Sequence, residues 1–162
     1  MFLMLAGFLM PALLVFGLFH LLAWGNLLGM SGRVFWKRVA ITSAISHVIL
    51  ACGFFGFSYL DYNMNLNTTL SGIGFDGYLF NRSEFWRLMA IFDTAPMLAL
   101  LGLFALLDKV GVAAPAPVAI SMIVTILVGT VQWYFVGGGI GLLLEKFWSG
   151  LKSNEDVDDD WL

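Results

Sequence analysis

The chain has 162 residues, of which 60% are hydrophobic and only 12% are charged, and its mean hydropathy is +0.89. Soluble domains carry about twice that share of charged residues and have too little interior to hide such an apolar excess, so the composition excludes an ordinary soluble protein. The sequence also holds no basic patch of the kind that nucleic acids require. We therefore expect the chain to reside in a lipid bilayer and to bind no nucleic acid.

The first apolar stretch covers residues 1–30 and contains no Asp, Glu, Lys or Arg. As a helix it would measure about 45 Å, against about 30 Å for the hydrocarbon core of a bilayer. It lacks the basic start and the cleavage site of a signal peptide, so we expect it to be retained as a membrane span. Gly25 and Gly29 form a small-xxx-small pair that favours close helix packing.

The first loop carries the densest positive cluster of the chain, Arg33, Lys37 and Arg38. Short basic loops are typical of the cytoplasmic face and of contact with anionic lipid headgroups. The three residues are therefore predicted to set the orientation of the chain in the membrane and to touch lipid headgroups.

Hydropathy predicts an all-α, polytopic membrane protein: a bundle of four transmembrane helices with one ordered extramembrane loop. The predicted domain covers residues 1–148, and an acidic tail covers 149–162. The spans are placed at about 1–30, 39–60, 86–107 and 118–146, with the loop 61–85 outside.

Four spans place both termini on the same side of the membrane. With the basic first loop in the cytoplasm, that side is the outer face of the cell membrane, either the inner or the plasma membrane. Lys and Arg are divided equally between the two sides in this arrangement. The concentration of charge in the first loop decides the orientation.

Four polar side chains inside the predicted spans are candidates for chemistry: His20, His47, Asp93 and Gln132. The two histidines lie at similar distances on either side of the first loop, so a tight hairpin would bring them to similar depth. Such a pair can bind a metal or haem or share a proton, and each can instead bond a hydroxyl or carbonyl of a neighbouring helix. No third histidine or cysteine partner completes a closed metal site, and no metal or cofactor is predicted.

Asp93 lies inside the third predicted span, three residues before Pro96. A proline leaves the carbonyl four residues earlier, that of Phe92, without its helical hydrogen bond. A carboxyl beside loosened backbone is typical of intramembrane proton and cation sites. The structural alternatives are a protonated Asp93, or an Asp93 paired with Arg87 or Gln132.

Gln132 shares the fourth predicted span with Gly137 and Gly141, a second small-xxx-small pair. A buried amide and a glycine groove favour helix–helix association, so this span is predicted to support oligomerisation.

No set of residues resembles a catalytic site, so an enzyme is not favoured. The first hypothesis is a non-enzymatic membrane subunit that assembles with itself or with other membrane subunits. The first alternative is a homo-oligomeric channel, pore or membrane-perturbing effector that uses Asp93 and hydroxyl residues. The second alternative is a histidine-dependent membrane redox or metal protein.

Overall fold

The computed structural model describes residues 2–65, 73–111 and 117–158, and these residues are helical apart from short turns. The Ala-Pro stretch at 113–117, for which the sequence predicts a rigid turn, and the end of the acidic tail lie largely outside the described residues. The helices in chain order are α1 (Phe2–Trp24), a 3₁₀ segment (Leu27–Gly32), α2 (Phe35–Asn65), α3 (Phe75–Asn81), α4 (Glu84–Phe92), α5 (Thr94–Lys109) and α6 (Pro117–Asp158).

Two helical segments in the described part of the chain are long and apolar enough to cross a membrane, Phe35–Asn65 and Val118–Gly150. The segments Trp86–Phe92 and Thr94–Lys109 pass the same test only together, and they are bent by 106° at the break between them. The structure is therefore all-α with two or three candidate membrane spans. The predicted bundle of four transmembrane helices is not confirmed, because the third apolar stretch is not one straight helix.

The predicted helix boundaries also need correction. Helix α2 continues five residues into the predicted loop, where Asn63 and Asn65 donate side-chain hydrogen bonds to the carbonyls one turn earlier. Helix α6 continues through the first residues of the predicted acidic tail to Asp158. Polar residues do not end a helix by themselves. The boundary after residue 60 carries no glycine or proline stop signal, and α6 continues through Gly150 as a helix.

Helices α2 and α6 pack closely and run antiparallel. A Cβ atom built on Gly141 would lie 2.7 Å from the Trp36 Cα, and one built on Gly129 would lie 2.4 Å from the His47 Nε2. Residue numbers therefore rise along one helix as they fall along the other. The C-terminal part of α6 consequently lies beside the start of α2 and the first loop, whereas the side of the membrane on which each terminus lies stays a prediction.

A hydrophobic cluster marks the other end of the α2–α6 pair. Phe55 of α2, Leu79 of α3, Trp86 of α4 and Leu100 of α5 are its buried members, and side chains from the start of α6 pack against them. Helices α4 and α5 thus each contribute a residue to this end of the α2–α6 pair, although the break between α4 and α5 does not lie in the cluster.

The first turn explains why Gly25 and Gly29 do not form the predicted packing notch. Helix α1 ends at Trp24, and Gly29 adopts a positive φ of 65° within the 3₁₀ segment. The Asn26 Oδ1 accepts hydrogen bonds from the backbone N–H and the hydroxyl of Ser31, at 3.0 and 2.6 Å. Both glycines therefore belong to a turn, and Gly29 suits its place there because glycine adopts positive φ without steric cost.

The described part of the long loop forms an ordered cap. The Tyr78 hydroxyl donates to the Asp61 carboxylate, and the Tyr62 hydroxyl donates to the Ile73 carbonyl at 2.9 Å. Beside these bonds the rings of Tyr59 and Phe75 pack edge to face, and those of Tyr62 and Tyr78 pack at an interplanar angle of 45°. Burial, followed by the hydrogen bond to Asp61, raises the pKa of Tyr78 to about 12 from its usual 10.0.

We expect Tyr78 to ionise near pH 12 when the folded protein is titrated. Because its pKa is higher in the folded than in the unfolded state, its contribution to stability is complete below pH 10 and is lost as the pH rises through about 12. Ultraviolet difference titration of the wild type and of Tyr78→Phe measures this step. A Tyr59→Phe variant is the control, and a high-pH step that disappears in the control instead would contradict the assignment.

Candidate functional site

The site is built at the break between α4 and α5. Asp93 ends α4 with φ −110° and ψ 61°, outside the helical region, and α5 begins at Thr94. Pro96 occupies the first turn of α5, where a missing N–H is tolerated. The break therefore needs new hydrogen-bond partners for the backbone groups that it releases.

Gln132 of α6 supplies these partners. Its Nε2 donates to the Phe92 carbonyl at 3.0 Å, and its Oε1 accepts from the Ala95 N–H at 2.8 Å. The Phe92 carbonyl is the group that Pro96 deprives of its helical donor. The amide of Gln132 thus replaces two helical hydrogen bonds, and it contacts the backbone around Asp93 rather than the Asp93 carboxyl.

Asp93 and His47 form a buried pair. The His47 Nε2 lies 2.8 Å from the Asp93 Oδ2, and the two side chains are 3% and 0% exposed. The other carboxyl oxygen, Oδ1, accepts a hydrogen bond of 2.8 Å from the Trp133 indole Nε1–H. Arg87, the alternative partner, bonds Glu84 at the protein surface.

The hydrogen-bond network assigns the protons of this pair. The Thr130 hydroxyl donates to the Ile126 carbonyl, so it must accept from the His47 Nδ1, which lies 3.2 Å away. Nδ1 therefore carries a hydrogen. The His47 Nε2 and the Asp93 Oδ2 then share one further proton, either as imidazolium and carboxylate or as neutral imidazole and carboxylic acid.

Both of these arrangements are electrically neutral. Loss of the shared proton would leave a lone pair of Nε2 facing a carboxylate oxygen and one negative charge in a low-dielectric interior. Chemically, a pair with this geometry can hold one proton between the His47 Nε2 and the Asp93 Oδ2.

A small cavity adjoins the pair. It measures about 20 Å³ and is lined by Val15, Ser43, Ser46, His47, Asp93 and Trp133, among others. A cavity of this volume is large enough for one water, but the surface that faces it is almost wholly apolar and offers a water few hydrogen-bond partners.

His20 is not brought to His47, because both ring nitrogens of His47 face other partners. The His20 ring packs against Phe16 and Phe19 on α1, with centroids 4.5 and 5.9 Å away. It lines an apolar groove of about 730 Å³ that also reaches Ser43 and Trp133. Among the described residues, no three His, Cys, Asp or Glu side chains are grouped so that they could hold a metal ion.

The remaining predicted residues lie away from the pair. Gly137 and Gly141 contact Ser43 and Trp36 within the chain, so this pair packs α6 on α2. The basic residues of the first loop are close to its backbone carbonyls or to an aromatic ring: Arg38 donates to Arg33 and Ser31, Arg33 donates to Leu28, and Lys37 lies over Trp36.

Three members of the site were missed in the sequence: Gly129, Thr130 and Trp133. Gly129 leaves the space that His47 fills, because a Cβ there would lie 2.4 Å from Nε2 and 3.3 Å from the Asp93 Oδ2. The available signal in the sequence was that Gly129, Thr130 and Trp133 lie within one turn of Gln132 on the same helix. A tryptophan in an apolar stretch, however, resembles any lipid-facing aromatic residue.

We expect Gln132→Ala to destabilise the protein by about 2 kcal/mol, because it leaves the half-buried Phe92 carbonyl and the Ala95 N–H of the break without the Gln132 amide. Unfolding in mixed micelles of increasing denaturing-detergent content measures the effect. Val131→Ala is the matched control, since Val131 is exposed on the neighbouring position of α6. An effect of Gln132→Ala no larger than that of the control would contradict this role.

Comparison with protein-family models, with curated proteins and with solved structures gives no significant match.

Proposed function

We propose that this protein is an integral membrane protein that transfers protons through the His47–Asp93 pair. The observation that supports it is the 2.8 Å contact between two fully buried titratable groups at a broken helix. Helix breaks inside a membrane occur where the backbone is buried in protein or lines a polar cavity, and they are a common way to build ion and proton sites.

The proposed topology has three crossings, α1, α2 and α6, and a re-entrant pair formed by α4 and α5. Asp93 lies against His47, eight residues or about 12 Å along α2 from Phe55. Trp86 and Leu100, each seven residues from Asp93, both pack near Phe55. Helix α4 thus leads into the bilayer to Asp93, and α5 leads back towards the same side.

This topology favours a cytoplasmic first loop and C-terminus, with the N-terminus outside. Because α6 runs antiparallel to α2, its two lysines lie on the side of the first loop. Because α4 and α5 form a re-entrant pair, Lys109 lies on the opposite side. The basic residues then divide unequally, as the positive-inside rule requires. Inside lie Arg33, Lys37, Arg38, Lys146 and Lys152; outside lie Arg82, Arg87 and Lys109. A C-terminal reporter that is active only in the cytoplasm tests this orientation, and an inactive reporter would contradict it.

Reconstitution tests the proposed activity. Purified protein in vesicles that enclose a pH-sensitive dye should acidify or alkalinise the interior when a potassium gradient with valinomycin drives protons across the membrane. Vesicles without protein set the background rate. A rate equal to this background would contradict the proposal.

The last part of α6 supports a second candidate, a subunit that binds another membrane protein. Beyond Gly141 the helix passes the start of α2, and large apolar side chains remain exposed there: Leu142, Leu143, Leu144, Phe147 and Trp148. Lipid in the interfacial region or a partner helix would cover them. Cross-linking in mild detergent distinguishes the two, since a monomer without co-purifying protein contradicts the subunit hypothesis.

A further inference from the structure

Two buried hydroxyl groups of α6 have no hydrogen-bond partner in the described structure, the Ser121 Oγ and the Thr125 Oγ1. Both side chains are 0% exposed. Ser and Thr within a helix normally bond the carbonyl one turn earlier, as Thr42, Ser46 and Thr130 do here. An unpaired buried hydroxyl costs about 1–3 kcal/mol, so two in succession require an explanation.

Ser121, Thr125 and Gly129 are spaced four residues apart, so they lie along one face of α6 that leads to the His47–Asp93 pair. Thr125 lies one helical turn before Gly129, the residue in contact with His47 and Asp93, and Ser121 lies one further turn away. Neighbouring positions on such a line are about 6 Å apart at Cβ. One water with two hydrogen bonds of about 2.8 Å spans that distance.

A second polar group lies at the outer end of α2. The Ser58 and Ser83 hydroxyls are 2.7 Å apart and buried, and Ser83 also accepts the Trp86 N–H at 3.2 Å. The hydrogen bonds continue from Ser83 into the loop cap. Tyr78 forms a side-chain hydrogen bond with Ser83 and donates to Asp61, a half-buried carboxylate of the cap.

The direct path between Ser58 and the His47–Asp93 pair is lined by apolar side chains. Phe54 and Met89 line both the cavity at His47 and the packed region at Ser58. The Ser121 and Thr125 hydroxyls lie on a different helix and offer a polar way around these side chains.

We propose that Ser121 and Thr125, with bridging water, carry protons between the Ser58–Ser83 group at the outer end and the His47–Asp93 pair. Each step passes a proton from one hydrogen-bonded oxygen to the next while the acceptor releases its own, so no group gains net charge in a completed transfer. This inference rests on the proposed proton transfer, and it adds the route by which the pair reaches the outer surface.

The test uses a double variant, Ser121→Ala with Thr125→Val, which keeps the packing volume and removes both hydroxyls. If the hydroxyls were only an imperfection of packing, the variant would be more stable and would transfer protons at the wild-type rate. If they form the route, the variant folds equally well but its proton flux in vesicles falls at least tenfold. Ser149→Ala on the exposed end of the same helix is the control and should keep the wild-type rate.

A second readout separates this inference from the proposed function. The Trp133 indole N–H donates to Asp93, and its hydrogen–deuterium exchange, followed by NMR and assigned with Trp133→Phe, reports access of water to the pair. Slower exchange in the double variant supports the route even if vesicle flux proves independent of Asp93. Unchanged exchange together with unchanged flux overturns the inference, and if flux still requires Asp93 the proposed function stands without it.

Discussion

Asp93→Asn is expected to reduce proton flux in vesicles by about a hundredfold or more, the order of magnitude that a positioned proton donor contributes. The amide should preserve the hydrogen bonds of the site. Its oxygen accepts from Trp133, and its nitrogen donates to the bare Nε2 of a His47 that keeps its hydrogen on Nδ1. The variant therefore folds, but it has no proton to exchange with His47.

The comparison needs a second variant and a measure of folding. His47→Gln removes the other half of the pair, and the two substitutions together should lose no more flux than either alone, because both disable one unit. Unfolding in mixed micelles shows whether each variant keeps its structure. Wild-type flux in a folded Asp93→Asn protein would contradict the proposed function.

Gly141→Ala is expected to have the largest effect on stability, a loss of about 1–3 kcal/mol typical of overpacking. The added Cβ would lie 2.7 Å from the Cα of Trp36, and backbone atoms cannot move aside as a flexible side chain can. Helix α6 would have to shift away from α2, and the shift would reach the contact between Gly129 and His47.

Gly139→Ala is the matched control, because a Cβ at Gly139 meets nothing within 4 Å. In a helix, alanine is favoured over glycine by roughly 0.5–1 kcal/mol, so this variant should be as stable as the wild type or slightly more stable. The midpoint of unfolding in mixed micelles measures both variants. Equal stability of the two would show that α2 and α6 are not packed at the observed distance.

The sequence was informative where a single residue has one dominant physical consequence. Apolar composition predicted an α-helical membrane protein, and Pro96 correctly indicated that the Phe92 carbonyl would need a new donor. Gln132 was recognised as a buried hydrogen-bonding amide. Its partner could not be derived, because which backbone groups it meets depends on how α6 lies against the break.

The path of residues 86–107 could not be derived from hydropathy, since two helices with a break between them and one straight span have similar composition. Residues 86–107 carry no charged side chain apart from Arg87 and Asp93, and nothing in that pattern sets the 106° bend. The direction of α6 relative to α2 depends on the path of the chain between the two helices, which hydropathy does not give. For the same reason His47 meets Asp93, which is 46 residues away in the chain, rather than His20 on the adjacent helix.

The measurement that tests the central claim most directly is ¹⁵N solid-state NMR of the His47 ring in lipid bilayers. The chain has two histidines, so His20→Gln leaves a single labelled imidazole. The structure predicts a hydrogen permanently on Nδ1 and a strongly hydrogen-bonded Nε2, whose chemical shift changes in the Asp93→Asn variant while that of Nδ1 does not. A bare Nδ1, or an Nε2 signal that does not respond to the substitution, would contradict a proton shared between His47 and Asp93.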